Sequence, residues 1–251
     1  MRTLSVCALK GGTGKTVTAH SLAACYAEGG RRVLVVDLDP QGSLSIWYGL
    51  DREGVTVGDV LRGGDLVDAV QPTNVEGVDA VAADPRAELV TGREVDARLR
   101  AAVLALRKRW DVLVIDTPPG VSTLTLAAIS AAPEVLAVVN PEGLSLHALA
   151  ELRDTVDAVA AHGVEGGARL SHVLPCNVPR TRHARDVLDL LAERFPDTLR
   201  PVIRSSARVP AAFAFGVSIL DHDPDGRPAT DYREAAAAIL DQRPPRRKAN
   251  R

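Results

Sequence analysis

Three glycines occupy four positions of Lys10-Gly11-Gly12-Thr13-Gly14-Lys15-Thr16, between an apolar run (Leu4 to Leu9) and a helix-like run (Val17 to Glu28). Glycine permits positive φ and lets backbone N–H groups approach an anion with no Cβ in the way. A helix beginning near Thr16 adds its unpaired N–H groups and partial positive charge. Against the pattern G-x-x-x-x-G-K-[ST] only the first glycine is absent, replaced by Leu9. The chemistry is therefore capture of a polyphosphate. The loop from Gly11 to Gly14 forms the cradle, Lys15 reaches the β- and γ-phosphates, and the Thr16 hydroxyl ligates Mg²⁺. Lys10, ahead of the glycines, adds a second cation where a transferring phosphoryl group becomes dissociative.

Carboxylates complete such a site. Asp37 and Asp116 each close an apolar run, Val33–Val36 and Val112–Ile115, and Asp39 follows two residues after Asp37. In open α/β sheets ligands bind beyond the C-terminal ends of the strands, so all three should gather round the loop. Asp116 fits the carboxylate that holds Mg²⁺ through its water shell, with Asp37 supporting the same shell. Asp39 lies where it could orient or deprotonate an attacking water.

The elements that must position these groups alternate. Strands are expected at Leu4–Leu9, Val33–Val36, Val78–Ala82, Val112–Ile115, Val135–Val139, Leu170–Leu174 and Leu199–Ile203. Helices are expected between them: Thr56–Leu61, Asp65–Val70, Arg86–Arg109, Leu124–Ala131, Leu146–Ala161, Ala184–Phe195 and Ala229–Leu240. In the long helix Leu89, Ala97, Val103, Leu104 and Leu106 are the expected inward residues. This order predicts an α/β fold, a doubly wound, mostly parallel sheet flanked by helices. One domain is expected over residues 1–241, followed by a basic, disordered tail at 242–251.

The string Lys-Gly-Gly-x-Gly-Lys-Thr resembles the deviant Walker A motif of the ParA/MinD family of ATPases. The resemblance extends to Asp37-Leu38-Asp39-Pro40-Gln41-Gly42, similar to the family's switch I, and to Asp111–Gly120, similar to its Walker B and switch II. Residues Val202–Gly216 resemble the adenine-side segment of small ParA proteins, which lack an N-terminal helix-turn-helix domain. The resemblance implies a P-loop fold, ATP and Mg²⁺ as ligands, and weak ATP hydrolysis stimulated by a ParB-like or adaptor partner. It implies that Lys10 crosses a face-to-face homodimer to the partner's nucleotide. On the adenine side it implies Ser205 and Ser206, although Arg204-Ser205-Ser206 stands where relatives often carry Pro-Arg-Asn. For nonspecific double-stranded DNA it implies Arg180, Arg182 and Arg208, holding phosphates without sequence readout. The implied role is segregation of a plasmid or chromosome, or positioning of another cargo.

The resemblance further implies a cytoplasmic, nucleoid-associated protein. Of 251 residues 46% are hydrophobic and 25% charged, and aromatics reach only 3%, so Ala, Val and Leu must build the core. The formal charge of −2 is uneven: residues 180–251 hold 14 basic against 10 acidic side chains, and the remainder is acidic. The basic third suits a polyanion. Three distant cysteines suggest neither a zinc site nor a disulfide framework, and exclude the paired cluster ligands of an iron-protein-like electron carrier. No membrane partner is expected. No signal segment or bilayer-length apolar run is present, and the tail after Asp241 has no apolar residue larger than Ala or Pro, against a MinD-like membrane helix. A MinD-like regulator or a positioning ATPase for a non-DNA cargo is the alternative.

Overall fold

The computed structural model describes residues 1–90, 94–106, 108–142, 145–161 and 167–241. Strand β1 (Arg2–Cys7) leads through the glycine loop into α1 (Lys15–Glu28), and β2 (Val33–Asp37) follows. Next come α2 (Ser43–Tyr48), α3 (Val57–Leu61), a 3-10 turn (Leu66–Ala69), β3 (Val70–Pro72) and β4 (Val78–Val81). A second 3-10 turn (Ala87–Leu89) and α4 (Val95–Ala105) precede β5 (Val112–Asp116), α5 (Thr123–Ala131) and β6 (Glu134–Val139). Then follow α6 (Ser145–Ala161), β7 (Arg169–Pro175), α7 (Arg182–Arg194), α8 (Arg208–Ala214), α9 (Ile219–His222) and α10 (Arg227–Asp241).

Among the described residues the sheet has seven strands, in the order β3-β4-β2-β5-β1-β6-β7, and every pairing is parallel except β3 with β4. Parallel strands covered on both faces read as continuous apolar runs, which is why Val33–Asp37 and Val112–Asp116 are buried at every position. Alternation sorts their side chains. Leu4 and Val6 of β1, Val33 and Val35 of β2, and Val112 and Val114 of β5 pack with α1, α2 and α10. Leu34 and Val36, with Leu113 and Ile115, face α3, α4 and α5 on the other side. A third cluster seats α6 and α7 against β6 and β7. The expected doubly wound sheet is present. Register brings the strand ends together: Asp37 pairs with Asp116, and Asp116 with Val6 of β1.

Several expected elements differ. Leu199–Ile203 is not a strand of the sheet. It runs beside β7, with N–H of Leu199 donating to Val173 O (2.8 Å) and N–H of Ile203 to Pro175 O (2.9 Å), but only isolated bridges form. Pro201 has no N–H to contribute and interrupts the ladder. Asp65–Val70 is a 3-10 turn that becomes the antiparallel edge strand β3. Arg86–Arg109 is not one helix: a 3-10 turn ends at Leu89, α4 begins at Val95, and residues 91–93 and 107 lie outside the described residues. Val103 and Leu106 are buried as expected, whereas Leu89, Ala97 and Leu104 face outward because the helical phase restarts at Val95. Helices α2, α8 and α9 are additional. The basic tail, 242–251, lies outside the described residues, as does His162.

Candidate functional site: a phosphate cradle at the strand ends

The glycine loop takes the backbone its composition allows. Gly12 (φ 75°) and Gly14 (φ 91°) are left-handed, and Gly14 is the N-cap of α1 with no side chain capping the helix. The first N–H groups of α1 are thus left without a side-chain acceptor and available to an anion. A Cβ on Gly14 would meet only Cys176 Cβ, at 3.8 Å, so the glycine is required by φ and not by space. Gly14→Ala should cost about 1–2 kcal/mol, the left-handed penalty, read as a lowered thermal midpoint. An unchanged midpoint would mean that the loop relaxes into another conformation.

Lys15 is 7% exposed and donates to Asp116 Oδ1 at 2.9 Å, with Asp39 Oδ2 3.8 Å away. Burial pulls the ammonium pKa down, but the charge and hydrogen bond of Asp116, with Asp39 and Asp37 behind it, outweigh burial and hold it above its ordinary value. Asp116 is completely buried. Burial raises its carboxyl, against the opposing effects of Lys15 and of a hydrogen bond from Thr16. Burial, then the neighbouring Asp116, pushes Asp37 up to about 7, although Ser45 and the Asp39 backbone donate to it. Asp39 is 8% exposed, and its Oδ1 accepts from the Gln41 N–H at 3.1 Å. Three carboxylates therefore surround one ammonium beside an anion cradle. Such a site is short of positive charge until a cation arrives.

The residues fit a polyphosphate accompanied by a divalent cation. Asp116 Oδ2 is buried with no hydrogen-bond partner among the described residues, on the carboxyl that the Thr16 hydroxyl also approaches. Among the described residues no group of three or more His, Cys, Asp or Glu could cage a metal alone. That donor set suits Mg²⁺, which keeps several waters and takes few protein ligands beside phosphate oxygens. A cleft of about 430 Å³ runs along the loop past Asp39, Gln41 and Ser43, under Trp47, Pro119 and Phe213.

Other expected residues take different places. Lys10 is half exposed and stands 3.7 Å from Glu142, also exposed, a pair that contributes little in water. Ser206 lines a second cavity with Gly12, Gly14, Cys176 and Tyr232, whereas Ser205 is exposed and is not among its lining residues. Arg204 is committed to Asp231 of α10 through its N–H and guanidinium. Arg180, Arg182 and Arg208 are exposed, and Arg208 has a loose pairing with Asp223 at 3.9 Å. The three cysteines are buried and free; burial pushes Cys7 up to about 11 and Cys25 and Cys176 up to about 12.

Sequence reasoning missed three contributors, Ser45, Asn140 and Asn177. Ser45 binds Asp37, described below. One polar atom of the Asn140 side-chain amide, just after β6, stands 3.1 Å from Thr13 O and 3.2 Å from Cys176 O; two carbonyl neighbours assign that atom as the NH₂, which then braces the loop. Asn177, left-handed at φ 52°, lines the cavity with Ser206. His20 lies buried between Trp47 (4.0 Å) and Tyr48 (4.6 Å), its pKa lowered to about 3 by burial, so it packs as a neutral ring. Trp47 in turn meets Phe213 edge-on and donates to Val217 O, tying α2 to α8.

Comparison with known proteins agrees with this geometry. The AAA domain family, AAA_31, matches residues 1–165. The chain is 32% identical over 240 residues to the sporulation initiation inhibitor protein Soj of Bacillus subtilis, covering 92% of this chain and 94% of that protein. It is 36% identical over 247 residues to the chromosome-partitioning ATPase Soj of Thermus thermophilus, covering 96% of each. Among solved structures it is similar to one described as cobyrinic acid a,c-diamide synthase from Mycobacterium smegmatis with bound ATP analog and magnesium. That likeness has a TM-score of 0.81 and 32% identity, over 96% of this chain and 94% of the other. With the deviant Walker A loop and the strand-end carboxylates in place, the chain belongs to the ParA/MinD family of P-loop ATPases. No described helix is long and apolar enough to cross a membrane.

Proposed function

We propose that the protein is a ParA-type ATP hydrolase that closes a homodimer around Mg-ATP, binds double-stranded DNA nonspecifically in that state, and leaves it after hydrolysis. A ParB-like or adaptor partner stimulates the hydrolysis, and the work done is segregation of a plasmid or chromosome, or positioning of another cargo, in the cytoplasm on the nucleoid. The observation that carries the reading is the buried Lys15 between Asp116 and Asp39, at the open N-terminus of α1.

In this reading the N–H groups from Gly11 to Thr16 receive the phosphates, and Lys15 exchanges Asp116 for a β/γ-phosphate oxygen. Thr16 would hold Mg²⁺ directly, with Asp116 and Asp37 on its water shell. Bound Mg²⁺ neutralises charge on the β- and γ-oxygens. Asp39 Oδ2, facing the cleft beside Lys15, orients the attacking water and accepts its proton. Lys10 leaves Glu142 to reach the nucleotide of the second subunit, which a solvent-exposed, 3.7 Å pairing permits at small cost. Ser206, on the cavity behind Gly14, is placed for the base side; exposed Ser205 is a weaker choice.

Arg180, Arg182 and Arg208 form the DNA-facing set, since all three are exposed and no described carboxylate holds them tightly. Arg208→Glu should keep ATP-dependent dimerisation and lose DNA retention, with a wild-type affinity that falls steeply with salt. Light scattering and filter binding on the same samples check this; undiminished retention would move the DNA surface elsewhere.

The Mycobacterium smegmatis likeness suggests a second reading, ATP-dependent amide synthesis. A synthase drawing nitrogen from glutamine needs a reactive thiolate, and all three thiols here are buried with raised pKa values. Phosphate release from Mg-ATP with no carboxylic acid acceptor present supports the hydrolase reading; release that depends on such an acceptor and on an amine donor would replace it.

A further inference from the structure

Ser45 is the first-turn residue of α2 and is completely buried, yet it packs a hydroxyl and not a methyl against the end of the sheet. The hydroxyl donates to Asp37 Oδ2 at 2.7 Å and accepts from the Ala83 N–H at 2.9 Å. The Ser45 N–H donates to the same Asp37 oxygen at 2.9 Å. The other Asp37 oxygen accepts from the Asp39 N–H at 3.1 Å. A continuous chain of hydrogen bonds thus runs from the segment after β4, through Ser45 and Asp37, to the backbone of Asp39. Beyond it the turn closes on itself, with N–H of Gly42 donating to Asp39 O at 2.8 Å and N–H of Gln41 to its carboxylate.

We infer that Ser45 is a positioning residue for hydrolysis: its hydroxyl fixes the Asp37 carboxylate, which sets the turn that aims Asp39 into the cleft. The inference rests on the hydrolase reading above. Both capacities of the hydroxyl are used, so the residue must donate and accept at once; alanine does neither and leaves the Ala83 N–H and one Asp37 lone pair unsatisfied in a buried place. None of these bonds reaches the glycine loop or Lys15. Loss of Ser45 should therefore misplace Asp39 and leave the phosphate cradle intact. A reacting group displaced by about 1 Å loses on the order of 10²-fold in rate.

The test compares wild type, Ser45→Ala, Ser45→Thr and Leu44→Val, using kcat and KM for ATP from phosphate release, ATP affinity by calorimetry, and thermal midpoints. Leu44 is its buried apolar neighbour, so Leu44→Val loosens α2 without touching the hydroxyl. The expected result is a kcat for Ser45→Ala lowered roughly 10- to 100-fold, with unchanged ATP affinity. Turnover should be recovered in Ser45→Thr and kept in Leu44→Val. Wild-type kcat in Ser45→Ala overturns the inference. So does an equal loss in Leu44→Val or a parallel loss of ATP affinity, since both mark a merely structural role. Failure of Ser45→Thr to restore turnover at an unaltered midpoint overturns it as well. A wild-type protein that neither binds nor hydrolyses ATP would instead remove the hydrolase reading itself.

Discussion

Lys15→Ala is expected to abolish ATP turnover and to weaken ATP binding in calorimetry. Among the described residues it removes the ammonium that pairs with Asp116 at 2.9 Å and with Asp39 at 3.8 Å, beside Asp37. In the nucleotide-free protein the same change leaves buried carboxylates uncompensated. Breaking a buried pair from one side costs on the order of 3–5 kcal/mol, part of which protonation of Asp116 would recover. Two readouts therefore move together: the thermal midpoint without nucleotide falls, and its upward shift on adding Mg-ATP disappears. Unchanged ATP affinity would remove the phosphate cradle from the account.

Asp39→Ala should have the opposite character. Asp39 bonds its own turn and stands near Lys15, but contributes nothing to the loop backbone. ATP and Mg²⁺ binding should survive while hydrolysis slows by ~10²–10⁴-fold, the usual worth of a positioned base. The variant should then accumulate as an ATP-bound dimer and stay on immobilised DNA long after wild type has left. Wild-type phosphate release would strip Asp39 of its catalytic role. Slow hydrolysis with ordinary DNA residence would break the link between turnover and release.

The two lysines separate because their surroundings do. Lys15 is buried among acids that fix it, and Lys10 is a half-exposed cation whose described pairing, with Glu142, is loose. A dimer-crossing role needs that freedom, which is a property of the surface and not of the loop sequence alone.

The geometry of the candidate phosphate site was legible because its requirements are local. Glycines at left-handed positions, a lysine and a threonine at a helix start, and carboxylates closing buried parallel strands all leave marks in contiguous sequence. Asp37 and Asp116 could be placed together without a structure since each ends a continuous apolar run. The misses come from tertiary context. Leu199–Ile203 has strand-like composition, but Pro201 and a position beside β7 leave only bridges. Helix α2 is six residues long and carries Trp47 and Tyr48, a stretch too short for periodicity to declare itself. Ser45, Asn140 and Asn177 are small polar residues whose importance lies in distant partners, Ala83 for Ser45 and Thr13 and Cys176 for Asn140, or in a backbone angle. No spacing rule within the chain points to them. The exposed Leu89 and Leu104 show the reverse error, an inward face projected from a 3-10 turn that ends at Leu89 into α4, which begins at Val95 and sets its own phase.

In the proposed function, nucleotide state governs attachment to DNA. Its most direct test is retention of the wild-type protein on nonspecific duplex at low salt, with Mg²⁺ throughout and with ATP, ADP or no nucleotide. Retention is expected with ATP alone, lost as salt rises. Equal retention in all three conditions, or none in any of them, would contradict it.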